Sequence, residues 1–524
     1  MDSERKFLMG NEAVALGACH AGVSLGVGYP GTPSSEILAY LNHFGGKAQW
    51  SPNEKVAAEV GLGVAFGNGR AMVTMKHVGL NVAADALFTA AYSGVDGAYV
   101  LAVADDPGLA SSQNEQDTRR YAVAAGVPLL DPSDSQDAYD FTRLAFDISA
   151  RWHIPVILRL TTRVCHSGSV VVPDVPVQNL PAPHFTRNIK QRVMVPGHAR
   201  PAHRRLRQKL KEIERWNNDE GPNREVLGDG RLGIIASGVA AQHAAEAAPD
   251  ASLFKVGMAY PLPVERIIEF CAKHEKNAAI EENDPYMNEL LKSYGAPLTV
   301  MPEYMRFGEL NVARIRRLLD GAPEPEHAVP PGKPPGLCKG CPHKRTFELL
   351  KKHGCIVSGD IGCYTLAALP PLEAMDMQIC MGASIGMGVG LRQVLPAAEA
   401  RKVVSVIGDS TFVHSGLTGL AEMAYNVPPT GHVVLILDNS TTAMTGQQEH
   451  PGTGRRLDGS PTGQLDYARV ATAMGIDNVV TYDPVKDAEP FEAALVDALR
   501  KDSLSVFVVK RPCILAAARK GAKG

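Results

Sequence analysis

Two apolar, β-branched segments separated by a helical pattern constrain the fold of this chain more than any other feature. Residues 403–407 (VVSVI) and 433–437 (VVLIL) are runs typical of buried strands. Between them, Leu417, Leu420 and Met423 recur at helical spacing. The pattern predicts a β-α-β unit, and so an α/β protein in which ligands bind where the parallel strands end.

Polar residues follow both predicted strands. Gly408, Asp409 and Ser410 come directly after the first strand, and Asn439 comes shortly after the second. Mg²⁺ prefers oxygen ligands and usually shares them with phosphates. Asp409, Asn439 and the backbone carbonyl of Thr441 offer such oxygens. The backbone N–H groups of Gly408 and Ser410 are placed to approach phosphates near a helix start.

An ordinary strand-turn-helix with a polar turn is the plain alternative. The spacing favours a ligand site, because Gly-Asp-Ser followed at this distance by Asp438-Asn439 resembles the Gly-Asp-Gly and Asn-Asn motif that binds thiamine diphosphate. Ser410 and Asp438 replace one Gly and one Asn of that motif. A rival start, Gly359-Asp360, has no Asn at the matching distance.

Size and composition exclude several classes of function. The 524 residues carry a net charge of −3, which gives no sign of a nucleic-acid or acidic-polymer partner. The charged first ten residues and the lack of a long apolar run predict a cytoplasmic protein with no membrane span. Nine cysteines in a chain of this size favour thiols or metal ligands over a disulfide framework.

The patterns predict three α/β domains joined by two linkers. The domains are residues 1–184, 226–325 and 337–524. Residues 185–225 form a charged linker, and 326–336 form a proline-rich connector. Residues 204–216 (RRLRQKLKEIERW) predict a helix, either a solvated linker helix or a docking surface for a partner.

Three segments together resemble one family: residues 29–35 (YPGTPSS), 74–81 (TMKHVGLN) and 438–446 (DNSTTAMTG). They are similar to the 2-oxoacid:ferredoxin oxidoreductase superfamily, and most of all to the large, thiamine-carrying subunit of its indolepyruvate branch. The resemblance implies that residues 1–184 bind the aminopyrimidine of thiamine diphosphate and that 337–524 bind the diphosphate. It also implies a transketolase C-terminal-like domain at 226–325.

The sequence departs from this branch in two places. No ferredoxin-like domain with two Cys-x-x-Cys-x-x-Cys runs follows residue 524, so we expect no electron exit through built-in ferredoxin clusters. Met444 stands where the pyruvate branch has an Asn, which leaves the choice of 2-oxoacid open.

The resemblance also implies roles for single residues. Glu59 would pair with N1′ of the aminopyrimidine, Thr32 would touch the substrate carboxylate, and Arg119 would clamp it with two hydrogen bonds. Lys76 and His77 either face the cofactor or have a plain loop role. The implied cofactor-binding residues are Glu59, Gly382, Gly408, Asp409, Ser410, Asn439 and Thr441, of which Asp409, Asn439 and Thr441 would bind Mg²⁺.

Four cysteines predict a further cofactor. Cys338 and Cys341 form a Cys-x-x-Cys, which alone is more typical of zinc or a redox pair. With Cys363 and Cys513, however, the order is similar to the proximal [4Fe–4S] cluster of two-subunit members of the superfamily. The other five cysteines are predicted to be core thiols: Cys19, Cys165, Cys271, Cys355 and Cys380.

The resemblance implies oxidative decarboxylation of an aryl or other bulky 2-oxoacid, such as indolepyruvate, to its acyl-CoA. Electrons would pass through the cluster to an acceptor. A smaller subunit would complete a hetero-oligomer and would help to bind coenzyme A. The alternatives are a non-oxidative 2-oxoacid decarboxylase, which needs no cluster, and a cofactor-free structural subunit.

Overall fold

The computed structural model describes residues 5–323 and 336–521. The chain forms two compact units, Met1–Ala328 and Val329–Gly524. All but the last residue of the predicted proline-rich connector, 326–336, lies outside the described residues. The boundaries predicted inside the first unit, at 184/185 and 225/226, stay predictions.

The first unit contains thirteen strands and thirteen α-helices among its described residues. The strands are β1 (Lys6–Met9), β2 (Leu25–Gly28), β3 (Ala48–Trp50), β4 (Arg70–Lys76), β5 (Ala98–Asp105), β6 (Leu129–Leu130), β7 (Val156–Thr161), β8 (Gly168–Val171), β9 (Arg224–Val226), β10 (Leu232–Ser237), β11 (Ser252–Val256), β12 (Met258–Tyr260) and β13 (Lys276–Ile280). The helices are α1 (Gly10–His20), α2 (Glu36–His43), α3 (Glu54–Phe66), α4 (His77–Ser93), α5 (Thr118–Ala125), α6 (Ser135–Trp152), α7 (Thr162–His166), α8 (Ile189–Arg192), α9 (Pro196–Asp219), α10 (Val239–Ala247), α11 (Val264–Cys271), α12 (Tyr286–Ser293) and α13 (Val312–Leu319).

A seven-stranded sheet of order β12-β6-β7-β5-β4-β2-β3 is the centre of the first unit. All neighbours are parallel except β12, which pairs antiparallel with β6. The second sheet, β13-β10-β11-β9, is parallel apart from its edge strand β9.

Helix α3 contains two glycines, which lower the stability of a helix, and close packing can offset that loss. A Cβ on Gly61 would stand 2.7 Å from Val73 and 2.8 Å from Tyr99, so this glycine lets α3 approach the sheet closely. A Cβ on Gly63 would meet no atom within 4 Å. Close packing therefore explains Gly61 and does not explain Gly63.

Helix α9 confirms the helix predicted at 204–216 and extends it in both directions. Leu206, Leu210 and Ile213 are buried, and the ring of Trp216 lies 5.3 Å from that of Trp152. One face of α9 thus packs on its own unit, so the description as a solvated linker is wrong for that face.

The second unit is a single parallel sheet of order β14-β15-β16-β18-β17 with helices on both sides. Its strands are β14 (Ile356–Ser358), β15 (Val403–Gly408), β16 (His432–Asp438), β17 (Asn478–Tyr482) and β18 (Leu504–Lys510). Its helices are α14 (His343–Lys352), α15 (Ala383–Val394), α16 (Ala397–Ala400), α17 (Asp409–Thr411), α18 (Leu417–Tyr425), α19 (Tyr467–Ala473), α20 (Ala488–Arg500) and α21 (Ile514–Gly521). A π-helical turn, Phe412–Gly416, joins α17 to α18.

Alternate residues of β15 and β16 face two separate hydrophobic cores. Both faces of these strands are therefore buried, which explains why their sequences are continuous apolar runs. Val404 and Leu435 belong to the core on one face, and Ile407 and Ile436 belong to the core on the other. The predicted β-α-β unit is confirmed. Among the described helices, none is both long enough and apolar enough to cross a membrane.

Candidate active site

The carboxyl edge of the five-stranded sheet brings Asp409 and Asn439 together. Strands β15 and β16 are parallel neighbours with Gly408 opposite Leu437, so both polar turns leave the sheet at the same level. Asp409 and Asn439 are both buried. Buried polar side chains at this edge are what an open α/β sheet offers to a ligand.

Hydrogen bonds fix the Asp409 carboxylate between the two turns. Its Oδ1 accepts the backbone N–H of Ser410 at 2.8 Å, and its Oδ2 accepts that of Ser440 at 2.8 Å. Asn439 Oδ1 accepts the Thr441 N–H at 3.1 Å. The structure therefore places Asp409, Ser410, Asn439 and Thr441 in one group. The N–H groups of Gly408 and Ser410 donate to the Tyr364 hydroxyl and to Asp409 Oδ1, so their predicted contacts with phosphate stay predictions.

Two buried polar atoms beside Asp409 have no hydrogen-bond partner among the described residues: Nε2 of His450 and the hydroxyl of Tyr467. Nδ1 of His450 accepts the Gly452 N–H at 3.2 Å, so its proton is on Nε2, which lies 3.4 Å from Asp409 Oδ2. Buried polar groups are normally satisfied. The unpartnered Tyr467 hydroxyl, and a His450 Nε2 whose contact with Asp409 is too poorly aligned for a hydrogen bond, therefore indicate that a polar ligand such as a metal-bound diphosphate fits this place.

His343 connects this site to the Cys-x-x-Cys loop. Asn439 Nδ2 donates to His343 Nε2 at 3.2 Å. Burial lowers the pKa of His343 to about 4, so its imidazole is neutral and can accept this hydrogen bond. Because His343 follows Cys341 by two residues, the loop lies next to Asn439.

The rival aspartate, Asp360, has a structural role. Its carboxylate accepts the N–H groups of Ile361, Gly382 and Ser384 at 2.8 to 3.1 Å and so stabilises the start of α15. The N–H of Gly382 is therefore already used. The proposed contact of Gly382 with the cofactor stays a prediction.

Three of the predicted cluster ligands act electrostatically on the fourth, Cys363. Burial raises the pKa of Cys363 to about 11, and the charges of Cys341, Cys513 and Cys338 add to this effect. The Cys513 N–H donates to the Asn439 carbonyl at 2.9 Å. Within residues 5–323 and 336–521, however, no three His, Cys, Asp or Glu side chains are arranged to hold a metal ion. The cluster stays a prediction.

The remaining cysteines follow the prediction only in part. Cys165 and Cys271 are buried, as expected of core thiols, whereas Cys19 and Cys355 are half-buried. Cys380 is exposed, so the prediction is wrong for this residue.

In the first unit, helix α3 carries two glutamates in contrasting environments. The side chain of Glu59 is 47% exposed and forms an ion pair with Lys55 one turn away. Glu54, by contrast, is 4% exposed, and a Cβ on Gly79 of α4 would stand 2.5 Å from its Oε1. A fixed, desolvated carboxylate is better placed to bind a ring nitrogen than an exposed, ion-paired one, so the structure favours Glu54.

The sequence analysis did not consider Glu54 as a candidate, although a local signal was present. Strand β3 ends at Trp50, and the Asn53 side chain caps α3 by accepting the Val56 N–H at 2.9 Å. Glu54 therefore lies at the carboxyl edge of the sheet, in the first turn of the helix. Glu59 lies more than one turn further from that edge.

The prediction that Arg119 clamps a substrate carboxylate is wrong, because its guanidinium is fully buried and already occupied. It donates to the carboxylates of Asp117 at 2.6 Å and Glu281 at 2.7 Å. It also donates to the carbonyls of Glu282 at 2.7 Å and Asp284 at 3.0 Å. Arg119 thus joins α5 to the end of β13.

We expect Arg119→Met to lower the free energy of unfolding by about 3–5 kcal/mol, because it leaves two buried carboxylates without their cation. Urea unfolding of the purified protein measures this change. The neighbouring Arg120→Met is the control, since Arg120 is partly exposed and its ion pairs at the surface contribute about 0–1 kcal/mol. An Arg119→Met variant that keeps its stability but has a raised KM for the 2-oxoacid would support the original prediction that Arg119 binds the substrate carboxylate.

Thr32, Lys76 and His77 lie at the carboxyl edge of the seven-stranded sheet. The half-buried Thr32 accepts a hydrogen bond from Ser111 Oγ at its carbonyl. Lys76 Nζ donates to the Ser111 carbonyl, and His77 Nε2 lies 3.2 Å from the Asn114 carbonyl. All three therefore contact the loop after β5, and the predicted contact of Thr32 with a substrate stays a prediction.

Two models of known protein families match parts of this chain. The family model for the thiamine-diphosphate-binding part of pyruvate flavodoxin/ferredoxin oxidoreductases matches residues 16–197. The model for the C-terminal TPP-binding domain of thiamine pyrophosphate enzymes matches residues 360–509. These two matches cover the two sheet edges described above.

Curated relatives match over nearly the whole chain. Indolepyruvate oxidoreductase subunit IorA of Archaeoglobus fulgidus is 39% identical, over 98% of this chain and 87% of its own length. The subunit of the same name from Methanothermobacter thermautotrophicus is 37% identical, over 98% of this chain and 88% of its own.

A solved structure has a similar fold. It is the 2-oxoglutarate:ferredoxin oxidoreductase from Magnetococcus marinus with 2-oxoglutarate, coenzyme A and succinyl-CoA bound. The TM-score is 0.51 at 17% identity, over 61% of this chain and 65% of that one. At this identity the likeness concerns the fold alone.

Proposed function

Since the chain belongs to the family of indolepyruvate oxidoreductase subunit IorA, we propose that it catalyses the thiamine-diphosphate-dependent oxidative decarboxylation of an aryl or other bulky 2-oxoacid of the indolepyruvate type. The observation that carries the proposal is the group of Asp409, Asn439 and Thr441 at one sheet edge, inside the segment that matches a TPP-binding family. Each relative named above is an oxidoreductase subunit, which favours this reaction over non-oxidative decarboxylation.

Asp409, Asn439 and the carbonyl of Thr441 would hold Mg²⁺, and the N–H-bearing Nε2 of His450 would donate to the diphosphate. The oxygen donors are the type that Mg²⁺ prefers. Thiamine diphosphate, when bound, supplies the carbanion chemistry that releases CO₂ from the 2-oxoacid. The protein's own part is to bind and orient the reacting groups.

Oxidation of the 2-oxoacid requires an electron acceptor. One 2-oxoacid anion and one coenzyme A thiol give an acyl-CoA, CO₂, a proton and two electrons. We propose that Cys338, Cys341, Cys363 and Cys513 would hold a [4Fe–4S] cluster, which would supply one-electron redox chemistry beside the diphosphate site. The charges of Cys338, Cys341 and Cys513, which add to the raised pKa of Cys363, and the hydrogen bond from the Cys513 N–H to the Asn439 carbonyl support this assignment.

A partner subunit is part of the proposal. The relatives are named as subunits, and we propose that a smaller subunit completes a cytoplasmic hetero-oligomer that binds coenzyme A and passes electrons to the final acceptor.

The test is substrate-dependent dye reduction by the anaerobically purified complex with its partner subunit. With indolepyruvate and coenzyme A we expect reduction of a viologen dye and a brown protein with broad absorption near about 400 nm. Cys513→Ser should keep thiamine diphosphate but lose iron and most of the dye reduction, because serine replaces one of the four thiolates.

Cys380→Ser is the matched control, since Cys380 is an exposed thiol of the same unit. A colourless wild-type complex that releases an aldehyde without reducing the dye would establish the decarboxylase instead. A Cys513→Ser variant with full iron content would remove Cys513 from the ligand set and leave the reaction itself unchallenged.

A further inference from the structure

Lys76 ends strand β4 at the carboxyl edge of the seven-stranded sheet, directly beneath the segment that contains Thr32. A Cβ on Gly31 would stand 2.9 Å from the Cβ of Lys76, so the backbone at Gly31 packs closely against Lys76. Lys76 Nζ donates to Ser111 at its carbonyl (2.8 Å) and hydroxyl (3.3 Å). The Ser111 hydroxyl lies 3.4 Å from the Thr32 carbonyl. Lys76, Ser111 and Thr32 therefore form one connected group.

The charge of this lysine is only partly compensated. Lys76 is 7% exposed, and the carboxylate nearest to its Nζ, that of Asp106, is 3.9 Å away, beyond hydrogen-bond distance. Asp106 already accepts hydrogen bonds from the Ser111 N–H, the Ser112 hydroxyl and the Thr162 hydroxyl at 2.5 to 2.8 Å. A buried ammonium whose acceptors are mainly neutral is a place where an added anion is stabilised.

The titration of Lys76 agrees with this description. Burial lowers the pKa of Lys76 to about 8, and the nearby charge of Asp106 offsets only part of the shift. His77, the next residue, is also titratable, and burial lowers its pKa as well, so that its imidazole is neutral near pH 7. The Gly31–Thr32 segment and Ser111 bring no charge.

We propose that Lys76 supplies the positive charge that binds the carboxylate of the 2-oxoacid, the role that the sequence predicted for Arg119. In this arrangement Nζ exchanges a neutral acceptor on Ser111 for the substrate carboxylate, and the hydroxyl groups of Thr32 and Ser111 are the neighbouring donors. This assignment rests on the proposed function and names its carboxylate-binding residue.

The experiment compares Lys76→Met and Lys76→Arg in the complete complex, with indolepyruvate as the varied substrate. Hydrogen bonds to charged groups are the stronger class, so we expect Lys76→Met to raise KM by about 10- to 100-fold with a smaller change in kcat. Lys76→Arg keeps the charge and should recover part of the loss. The Kd of thiamine diphosphate should not change in either variant.

Lys209→Met is the matched control. Lys209 also donates to a backbone carbonyl, that of His153 at 3.0 Å, and burial lowers its pKa to about 8 as well. It lies on α9 and not at the sheet edge. Its replacement should leave the KM for indolepyruvate unchanged.

The pH profile tests the inference independently of the KM of Lys76→Met. A lysine with a lowered pKa is charged below about pH 8 and loses its charge above it. The kcat/KM of the wild-type complex should therefore fall as the pH rises through about 8, and Lys76→Arg should move the fall to higher pH.

A flat profile between about pH 7 and 9.5, or a Lys76→Met variant that loses stability with its KM unchanged, would overturn the assignment and make Lys76 a structural anchor of the loop. Wild-type complex that turns over no 2-oxoacid at all would contradict the proposed function, and the inference with it.

Discussion

Replacing Asp409 by Ala or Asn is expected to weaken the binding of Mg²⁺–thiamine diphosphate by more than about 100-fold, because the carboxylate is the one charged oxygen ligand proposed for the metal. Titration calorimetry with thiamine diphosphate in the presence of Mg²⁺ measures the loss. Wild-type protein should also gain thermal stability when the cofactor is present, whereas the variants should not.

The two substitutions separate binding from folding. Asp409 accepts hydrogen bonds from Ser410 and Ser440, so Ala removes two contacts that hold the turns together as well as the charge. Asn keeps an acceptor oxygen and a similar shape. Asp502→Ala, at an exposed ion pair of the same unit, is the control. Full cofactor affinity in a folded Asp409→Asn variant would place the metal elsewhere.

The second unit was predictable from sequence because its constraints are local. Each strand of the β-α-β unit is a continuous apolar run, and the parallel register alone brings the residues that follow Gly408 and Leu437 to one level. Asp409 and Asn439 were therefore found from strand ends and spacing. His450 and Tyr467 were not, since neither belongs to a strand end or to a spacing that predicts a site.

In the first unit, contacts between residues far apart in the sequence could not be predicted. Arg119 looks like a free arginine next to a turn in the sequence. Its partner Glu281 is 162 positions away, and only the packing of α5 against the end of β13 joins them. Pairing of β12 with β6 is equally non-local. A residue's chemical type is visible in the sequence, but whether its donors are already used depends on such contacts.

The choice between Glu54 and Glu59 illustrates the same limit within one helix. Both are glutamates of α3, and the resemblance to a family implied that Glu59 is the activating carboxylate. Burial distinguishes them, because Glu54 lies against Gly79 at the sheet edge and Glu59 is half-exposed and paired with Lys55.

We expect Glu54→Gln to lower kcat by about 10²- to 10⁴-fold, the usual contribution of a group that moves or holds a proton in the reaction. Glutamine keeps the shape of the side chain but cannot provide the ionised partner that N1′ of the aminopyrimidine requires. Thiamine diphosphate should still bind, since its diphosphate end is held by other residues. Glu59→Gln removes only a surface ion pair and should keep near-normal turnover.

Comparing Glu54→Gln with Glu59→Gln decides which glutamate is the activating group. The comparison is matched, because both substitutions are isosteric and both residues are on the same helix. Steady-state kinetics in the complete complex, together with the Kd of thiamine diphosphate, are the measurements. A large loss of kcat in Glu59→Gln with an active Glu54→Gln would restore the original prediction. Loss of cofactor binding or of thermal stability in Glu54→Gln would show instead that this buried carboxylate supports the contact between α3 and α4. A loss of kcat alone, with binding and stability retained, identifies Glu54 as the activating group.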